Sequence, residues 1–454
     1  MRFVSTRNER ESATFFEAFA NGLAPDGGLY VPEELPDLSP DTVSGEAQPY
    51  PALAVEILEL FDTDHTPDQV FKLVDKSYSN FTDMATAPLR QLDDKLYVLE
   101  LFHGPSLAFK DFGLQLVGNL FEDQIRRSGN SINVLGATSG DTGAAAVASL
   151  AGKEGVNVFI LYPQGRISDM QERQMTCTGA ANIFPIPIEG TFDDCQRLVK
   201  TLFMDEEFRS QVRLSSINSI NLARVLAQTI YYVHAFTQIP AEKSDQVEFI
   251  VPTGNFGNVF AGWMASRMGL PANRFKVATN RNDILHRLFS TGVYEEQASV
   301  SPSFAPSMDI QVASNFERFL YYSVGGDGAQ VCEIMNRIRD TGRIEIPNFD
   351  RDTFCSTRSN DEDIIANIKM VHEKYDYVVD PHTACGFQAI DPEYTTVVLG
   401  TAHPAKFPST IHKAIGIHPK HPSLEKLREK QQVRYDLDPD LDEIRAFMLL
   451  NGVM

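Results

Sequence analysis

The run Leu101-Phe-His-Gly-Pro-Ser-Leu-Ala-Phe-Lys-Asp-Phe-Gly113 sets one lysine, Lys110, among apolar and aromatic neighbours. Such surroundings disfavour an ammonium and lower its pKa, which makes a lysine a nucleophile able to form a Schiff base near neutral pH. Taken alone, the run also fits a lysine that snorkels from a core strand to water. A second candidate is Thr253-Gly-Asn-Phe-Gly-Asn258, which lies between a strand-like and a helix-like segment. There the backbone N–H groups, the helix dipole and the bare Gly254 and Gly257 can converge on a small phosphate. The same residues also suit an ordinary turn. They lack the lysine of a P-loop and the G-x-G-x-x-G spacing of a dinucleotide fold, so ATP and NAD are disfavoured.

Thr138-Ser-Gly-Asp-Thr-Gly143 has the same strand-to-helix placement. Ser139, Gly140, Asp141 and Thr142 offer N–H groups and hydroxyls for a carboxylate, or simply cap a helix with Asp141 at the N-cap. Asn218-Ser-Ile-Asn-Leu-Ala-Arg224 brings Asn218, Ser219 and the fork of Arg224 within two turns. That is a polar helix start by itself and a phosphate site in the right company. Thr401 follows the strand Val397-Val-Leu-Gly400 and so falls at the carboxyl edge of a sheet, where ligands of open α/β sheets bind. His382 and His403 stand there too, each beside a proline, as structural histidines of tight turns do.

These loops need strands and helices to aim them. Ile132–Leu135, Val158–Tyr162, Phe184–Ile188, Glu248–Pro252, Phe275–Thr279, Tyr377–Val379 and Val397–Gly400 read as short β-rich runs. Glycine-bearing turns and helix-forming runs follow the first and fourth of them, so the expected architecture is α/β with two parallel-sheet lobes. The expected organisation is a helical, proline-punctuated N-terminal segment over 1–95, a smaller α/β lobe over 96–210, and a larger lobe over 211–454. An insertion is expected around 293–360. A chain of 454 residues exceeds one ordinary core. Its 43% hydrophobic and 22% charged residues are those of a soluble globular protein, and no apolar run is long enough for a membrane span. The N-terminus has no signal-peptide pattern, so a cytoplasmic location is expected. A formal charge of −21 opposes nucleic-acid binding. Five cysteines without CxxC spacing fit a reducing compartment and give no metal site.

Taken in order, the motifs resemble those of the threonine synthases, pyridoxal-phosphate enzymes of the tryptophan-synthase β-subunit fold group. The resemblance begins at Ser5-Thr-Arg7 and Ala24–Pro32 and includes the lysine run, ATSGDTG, NSINLAR and PTGNFGN. It continues through ATNRNDILHR (Ala278–Arg287), MDIQVASNFERF (Met308–Phe319), DPHTACG (Asp380–Gly386) and GTAHPAKF (Gly400–Phe407). It implies a fold-type II enzyme with pyridoxal 5'-phosphate between the lobes, carried covalently by Lys110. Gly254, Asn255, Phe256, Gly257 and Asn258 are implied to hold the cofactor phosphate and Thr401 its pyridine nitrogen. Ser139 to Thr142 would take the substrate α-carboxylate, and Asn218, Ser219 and Arg224 the phosphate of O-phospho-L-homoserine. Asp141 stands where many related enzymes have asparagine, and Leu222 where tryptophan is frequent. The implied products are L-threonine and phosphate, made by a monomer or homodimer. Two alternatives are a lyase of the same fold, releasing a 2-oxo acid and ammonia, and a non-catalytic pyridoxal-phosphate-binding homologue.

Overall fold

Two sheets organise the chain in the computed structural model, which describes residues 1–297, 299–346, 353–388 and 390–453. The smaller sheet has four parallel strands in the order Ile183–Ile188, Val156–Pro163, Ile132–Ala137, Leu214–Ser215. The larger has six, in the order Phe354–Arg358, Arg274–Thr279, Val247–Pro252, Thr395–Gly400, Leu96–Glu100, Leu89–Asp93; all are parallel except the last pair. Apart from Glu100, every residue of Val247–Pro252, Leu96–Glu100 and Thr395–Gly400 is buried. Continuous apolar runs of this kind belong to parallel strands covered on both faces.

The expected lobe boundaries do not coincide with the sheets. Leu96–Glu100 pairs with Thr395–Gly400 in the larger sheet rather than opening the smaller lobe. At the other end, the helix Leu441–Asn451 returns to the smaller sheet, burying Ile444 and Met448 with Leu135, Phe159 and Leu161. Both crossings answer the same need: an apolar sheet face must be covered, and the cover comes from wherever the chain can reach. Tyr377–Val379, read as a strand, forms no ladder. Asp376 turns into the left-handed region (φ 50°) and Asp380 caps the next helix, so Val379 is buried in a connector. Of the expected insertion, residues 298 and 347–352 lie outside the described residues. The rest holds a two-stranded ribbon (Val293–Glu295 with Arg343–Glu345) and the helices Phe316–Ser323 and Gly328–Thr341, and ends in the edge strand Phe354–Arg358.

The N-terminal segment is fastened by charge as well as by packing. Arg7 donates two bonds of 2.9 Å to the Glu317 carboxylate, and Thr6 donates to the same group at 2.6 Å. Farther along, both ring nitrogens of buried His65 face carboxylates, Nδ1 at 2.7 Å from Asp62 and Nε2 at 2.9 Å from Asp123. Two such contacts need two N–H donors, so His65 is an imidazolium. Burial pushes its pKa down, but the bonds to Asp62 and Asp123 outweigh burial and raise it overall. A raised folded-state pKa gives stability that is fully present below the unfolded value of about 6.5 and is lost as pH rises through the folded value. Urea unfolding at about pH 6 and pH 9 is therefore expected to show wild type losing more stability on the alkaline side than His65→Gln. Parallel behaviour of the two proteins would sink this assignment.

Candidate active site

The carboxyl ends of three strands, Ala137, Pro252 and Gly400, lead directly into Thr138, Thr253 and Thr401. Between them and the helix Lys110–Ser128 lies a cleft at the carboxyl edge of the strands, the place where ligands of open α/β sheets bind. It is lined by Lys110, Asp141, Thr142, Ser219, Arg224, Thr401 and all five residues Gly254–Asn258. The structure thus gathers most of the residues singled out from sequence. Ser139, Gly140 and Asn218 are not part of the lining.

Lys110 begins its helix, and its side chain is only 12% exposed. Burial pushes its amine down, the Asp141 carboxylate 3.7 Å away opposes this, and Lys406 and Arg224 push it down further; the result is about 8. The amine is therefore a usable base and nucleophile near neutral pH. At Gly113 this helix meets the helix Leu222–Thr237 so closely that a Cβ would stand 3.0 Å from the Arg224 Cα. That approach sets Arg224 beside the same cleft.

The phosphate-type loop is held in an unusual backbone. Phe256, the N-cap of the helix Gly257–Arg267, has φ 64°, a left-handed conformation for a bulky residue. Its ring is buried among Phe289, Phe316, Phe319 and Phe354, and this cage keeps the conformation in place. Asn258 is oriented by two hydroxyls, Tyr231 at 2.5 Å and Tyr232 at 2.8 Å, both donating to its Oδ1. Its amide nitrogen then remains a buried donor without a partner. Asn315 ties this loop to the arginine loop by donating to the carbonyls of Asn255 and Ser219 at 3.2 and 3.1 Å. Asn315 Oδ1 in turn accepts a 2.5 Å bond from buried Arg318.

Asp141 occupies the first turn of the helix Asp141–Leu150 and does not act as its N-cap. Gly140 takes that place at φ 127°, where a Cβ would stand 2.5 Å from the Gln171 amide. Thr138 does the capping, accepting from the N–H groups of Gly140 and Gly143 at 3.0 and 2.7 Å. The Asp141 carboxylate instead takes Lys406 Nζ at 2.7 Å and Gln171 Nε2 at 3.0 Å on Oδ1, and Ser307 Oγ at 3.0 Å on Oδ2. Burial would raise its pKa, but Lys406, Lys110 and His382 hold it well below the ordinary carboxylate range. Ser307 N–H also donates to His382 Nε2 at 3.1 Å, and Nδ1 of the same ring lies 2.8 Å from Asp380 Oδ1. On the other side, Thr383 Oγ1 accepts from Thr401 N–H at 3.0 Å and fixes the turn that presents Thr401.

Lys406, Gln171, Ser307 and Asn315 were not legible in the chain. Lys406 lay inside the GTAHPAKF motif, yet its burial and its partner are set by tertiary packing.

A phosphorylated anionic group fits the cleft on the structure's own terms. Two lining residues keep buried donors without hydrogen-bond partners: Arg224, at Nε and Nη1, and Asn258, at Nδ2. Buried donors of that kind are costly unless a ligand satisfies them. Family models account for nearly the whole chain: "Threonine synthase N terminus" matches residues 2–78, "Pyridoxal-phosphate dependent enzyme" 82–399, and "Threonine synthase, C-terminal" 383–448. The chain belongs to the threonine synthases, within the pyridoxal-phosphate-dependent enzymes. It is 42% identical to the threonine synthase of Pseudomonas aeruginosa, an alignment spanning 100% of this chain and 99% of that protein. Among solved structures, the pyridoxal-phosphate-bound threonine synthase of Brucella melitensis has TM-score 0.95 at 39% identity, covering 100% of both chains. The yeast threonine synthase has TM-score 0.91 at 36% identity, covering 99% of this chain and 98% of its own. Among the described residues no helix is long and apolar enough to cross a membrane, and no cluster of metal-ligating side chains occurs.

Proposed function

We propose that this threonine synthase converts O-phospho-L-homoserine and water into L-threonine and inorganic phosphate, with pyridoxal phosphate carried by Lys110. The observation behind this reading is the pair of anion-ready regions in one cleft. The Gly254–Asn258 loop and its helix N-terminus suit the cofactor phosphate, while Arg224, with Ser219, suits a second phosphate; Asn218 stands outside the lining. Thr401, which lines the same cleft, would hold the pyridine nitrogen. The substrate carboxylate is assigned to the Thr142 hydroxyl and the N–H groups at the start of the helix Asp141–Leu150, because the Asp141 side chain only accepts and is already engaged.

When bound, the cofactor supplies an electron sink for charge developing at substrate Cα and Cβ. Lys110 is the proton carrier. Its amine takes the proton from Cα, passes it to solvent, and then takes the proton from Cβ; phosphate leaves Cγ towards Arg224, and Lys110 delivers the Cβ proton to Cγ. Water adds its hydroxyl at Cβ while its remaining proton goes to the phosphate, and Lys110, reprotonated from solvent, returns a proton to Cα, so the two protons taken from carbon are matched by the two given back. An amine that titrates near 8 can accept and return these protons close to physiological pH. Product analysis after adding O-phosphohomoserine to cofactor-loaded protein is expected to show equimolar threonine and phosphate. A 2-oxo acid with ammonia would assign the chain to the lyases instead, and no product at all to the non-catalytic homologues.

A further inference from the structure

Lys406 is a lysine with no exposed surface at all, in the turn Pro404–Lys406 that follows Thr401. Its ammonium donates to Asp141 Oδ1 at 2.7 Å and to the Ser106 carbonyl at 2.8 Å. Ser106 N–H donates in turn to Asp111 Oδ2 at 2.8 Å, next in the chain to Lys110. The lysine thus clamps the loop leading to Lys110 against the start of the helix Asp141–Leu150. Burying a charge in this way is expensive, and an apolar side chain would fill the space at lower cost if packing were the only need.

What the positive charge does follows from the distances. The Asp141 carboxylate is shared by two lysines, Lys406 Nζ at 2.7 Å and Lys110 Nζ at 3.7 Å. A lone carboxylate in that position would hold Lys110 as an ammonium, which can neither attack a carbonyl nor accept a proton. We infer that Lys406 is a positioning residue for the reaction: by pairing with Asp141 it offsets the pull of that carboxylate and leaves Lys110 available as a free amine. The charged groups facing Lys110 are Asp141, Lys406 and Arg224. Asp141 itself also faces His382, whose Nε2 accepts from Ser307. Asp111, on the Lys110 helix, is turned to Ser106 and is pushed up to about 6 by burial. The low value for Lys110 agrees with the inference, since Lys406 acts on it downwards and Asp141 upwards.

The inference rests on Lys110 being the cofactor lysine, and one experiment separates the two. Cofactor-stripped protein is mixed with pyridoxal phosphate across the pH range, and the rate at which the absorbance of linked cofactor grows is fitted to a midpoint. Lys406→Gln, which keeps an N–H donor but removes the charge, is expected to move that midpoint upwards by about one unit, leaving roughly tenfold less free amine at a given lower pH. The Asp141→Asn/Lys406→Gln double variant, with no buried charge left alone, is expected to fall back to the wild-type midpoint or below it. An unmoved midpoint in a folded Lys406→Gln protein overturns the inference, as does a double variant as displaced as the single one. If the single variant does not fold, Asp141→Asn and the double variant decide: loss of the Lys406 charge should place the double variant's midpoint above that of Asp141→Asn, and equal midpoints count against the charge of Lys406 offsetting Asp141 at Lys110. Absence of linkage in wild type at every pH would sink the cofactor assignment of Lys110 itself.

Discussion

Lys110→Ala is expected to yield a folded protein with turnover lowered by about ten-thousand-fold or more and no absorbance from lysine-linked cofactor. The magnitude follows from losing both the covalent attachment and a general base, the second alone being worth roughly a hundred- to ten-thousand-fold. The fold should survive, because Asp141 keeps Lys406, Gln171 and Ser307 and no buried charge is stranded. Circular-dichroism melts alongside absorbance and kcat would check both halves of the claim, and ordinary turnover in the variant would refute the role of Lys110. The pH dependence carries a sign. Only the neutral amine reacts, so cofactor uptake by stripped wild-type protein is expected to rise with pH and level off above about 8. A solvated lysine would go on gaining reactivity to about 10.4.

Lys110 was legible because the apolar part of its surroundings is local: Phe109 and Phe112 stand close to it in the chain, and apolar neighbours in sequence are also neighbours in the folded helix start. PTGNFGN was legible for a similar reason, since a strand, a glycine turn and a helix form one continuous unit, here Val247–Pro252 and Gly257–Arg267. What escaped was pairing between distant segments. Asp141 reads as a helix cap in sequence because aspartate commonly caps, but Lys406, Gln171 and Ser307 outcompete a backbone N–H for its carboxylate. Lys406 gives no local sign of complete burial. The strand at Leu96–Glu100 joins the larger sheet because Thr395–Gly400 offers it a partner, and nothing near residue 96 reports that. Tyr377–Val379 has strand-forming residues without a neighbouring strand, so propensity alone misleads there.

Arg224→Met is expected to push stability and activity in opposite directions. The guanidinium is buried, its pKa is lowered to about 10 by burial alone, and Nε and Nη1 have no partner. In the ligand-free protein this is an unsatisfied buried charge, and a methionine of comparable length relieves it. The melting temperature of ligand-free protein should therefore rise. With phosphorylated substrate the balance reverses, because two charge-assisted bonds at roughly 1.5–3 kcal/mol each vanish together, a loss of about a hundred- to ten-thousand-fold in kcat/KM. Cofactor should remain, since the Gly254–Asn258 loop and Lys110 are untouched, and its absorbance gives the internal control. Loss of cofactor with unchanged substrate affinity would mean that the two phosphate regions are assigned the wrong way round. A lowered melting temperature would show that Arg224 supports the fold rather than waiting for an anion. Functional sites often retain a strained or unsatisfied group at the expense of stability, and Arg224 is where this chain shows it most directly.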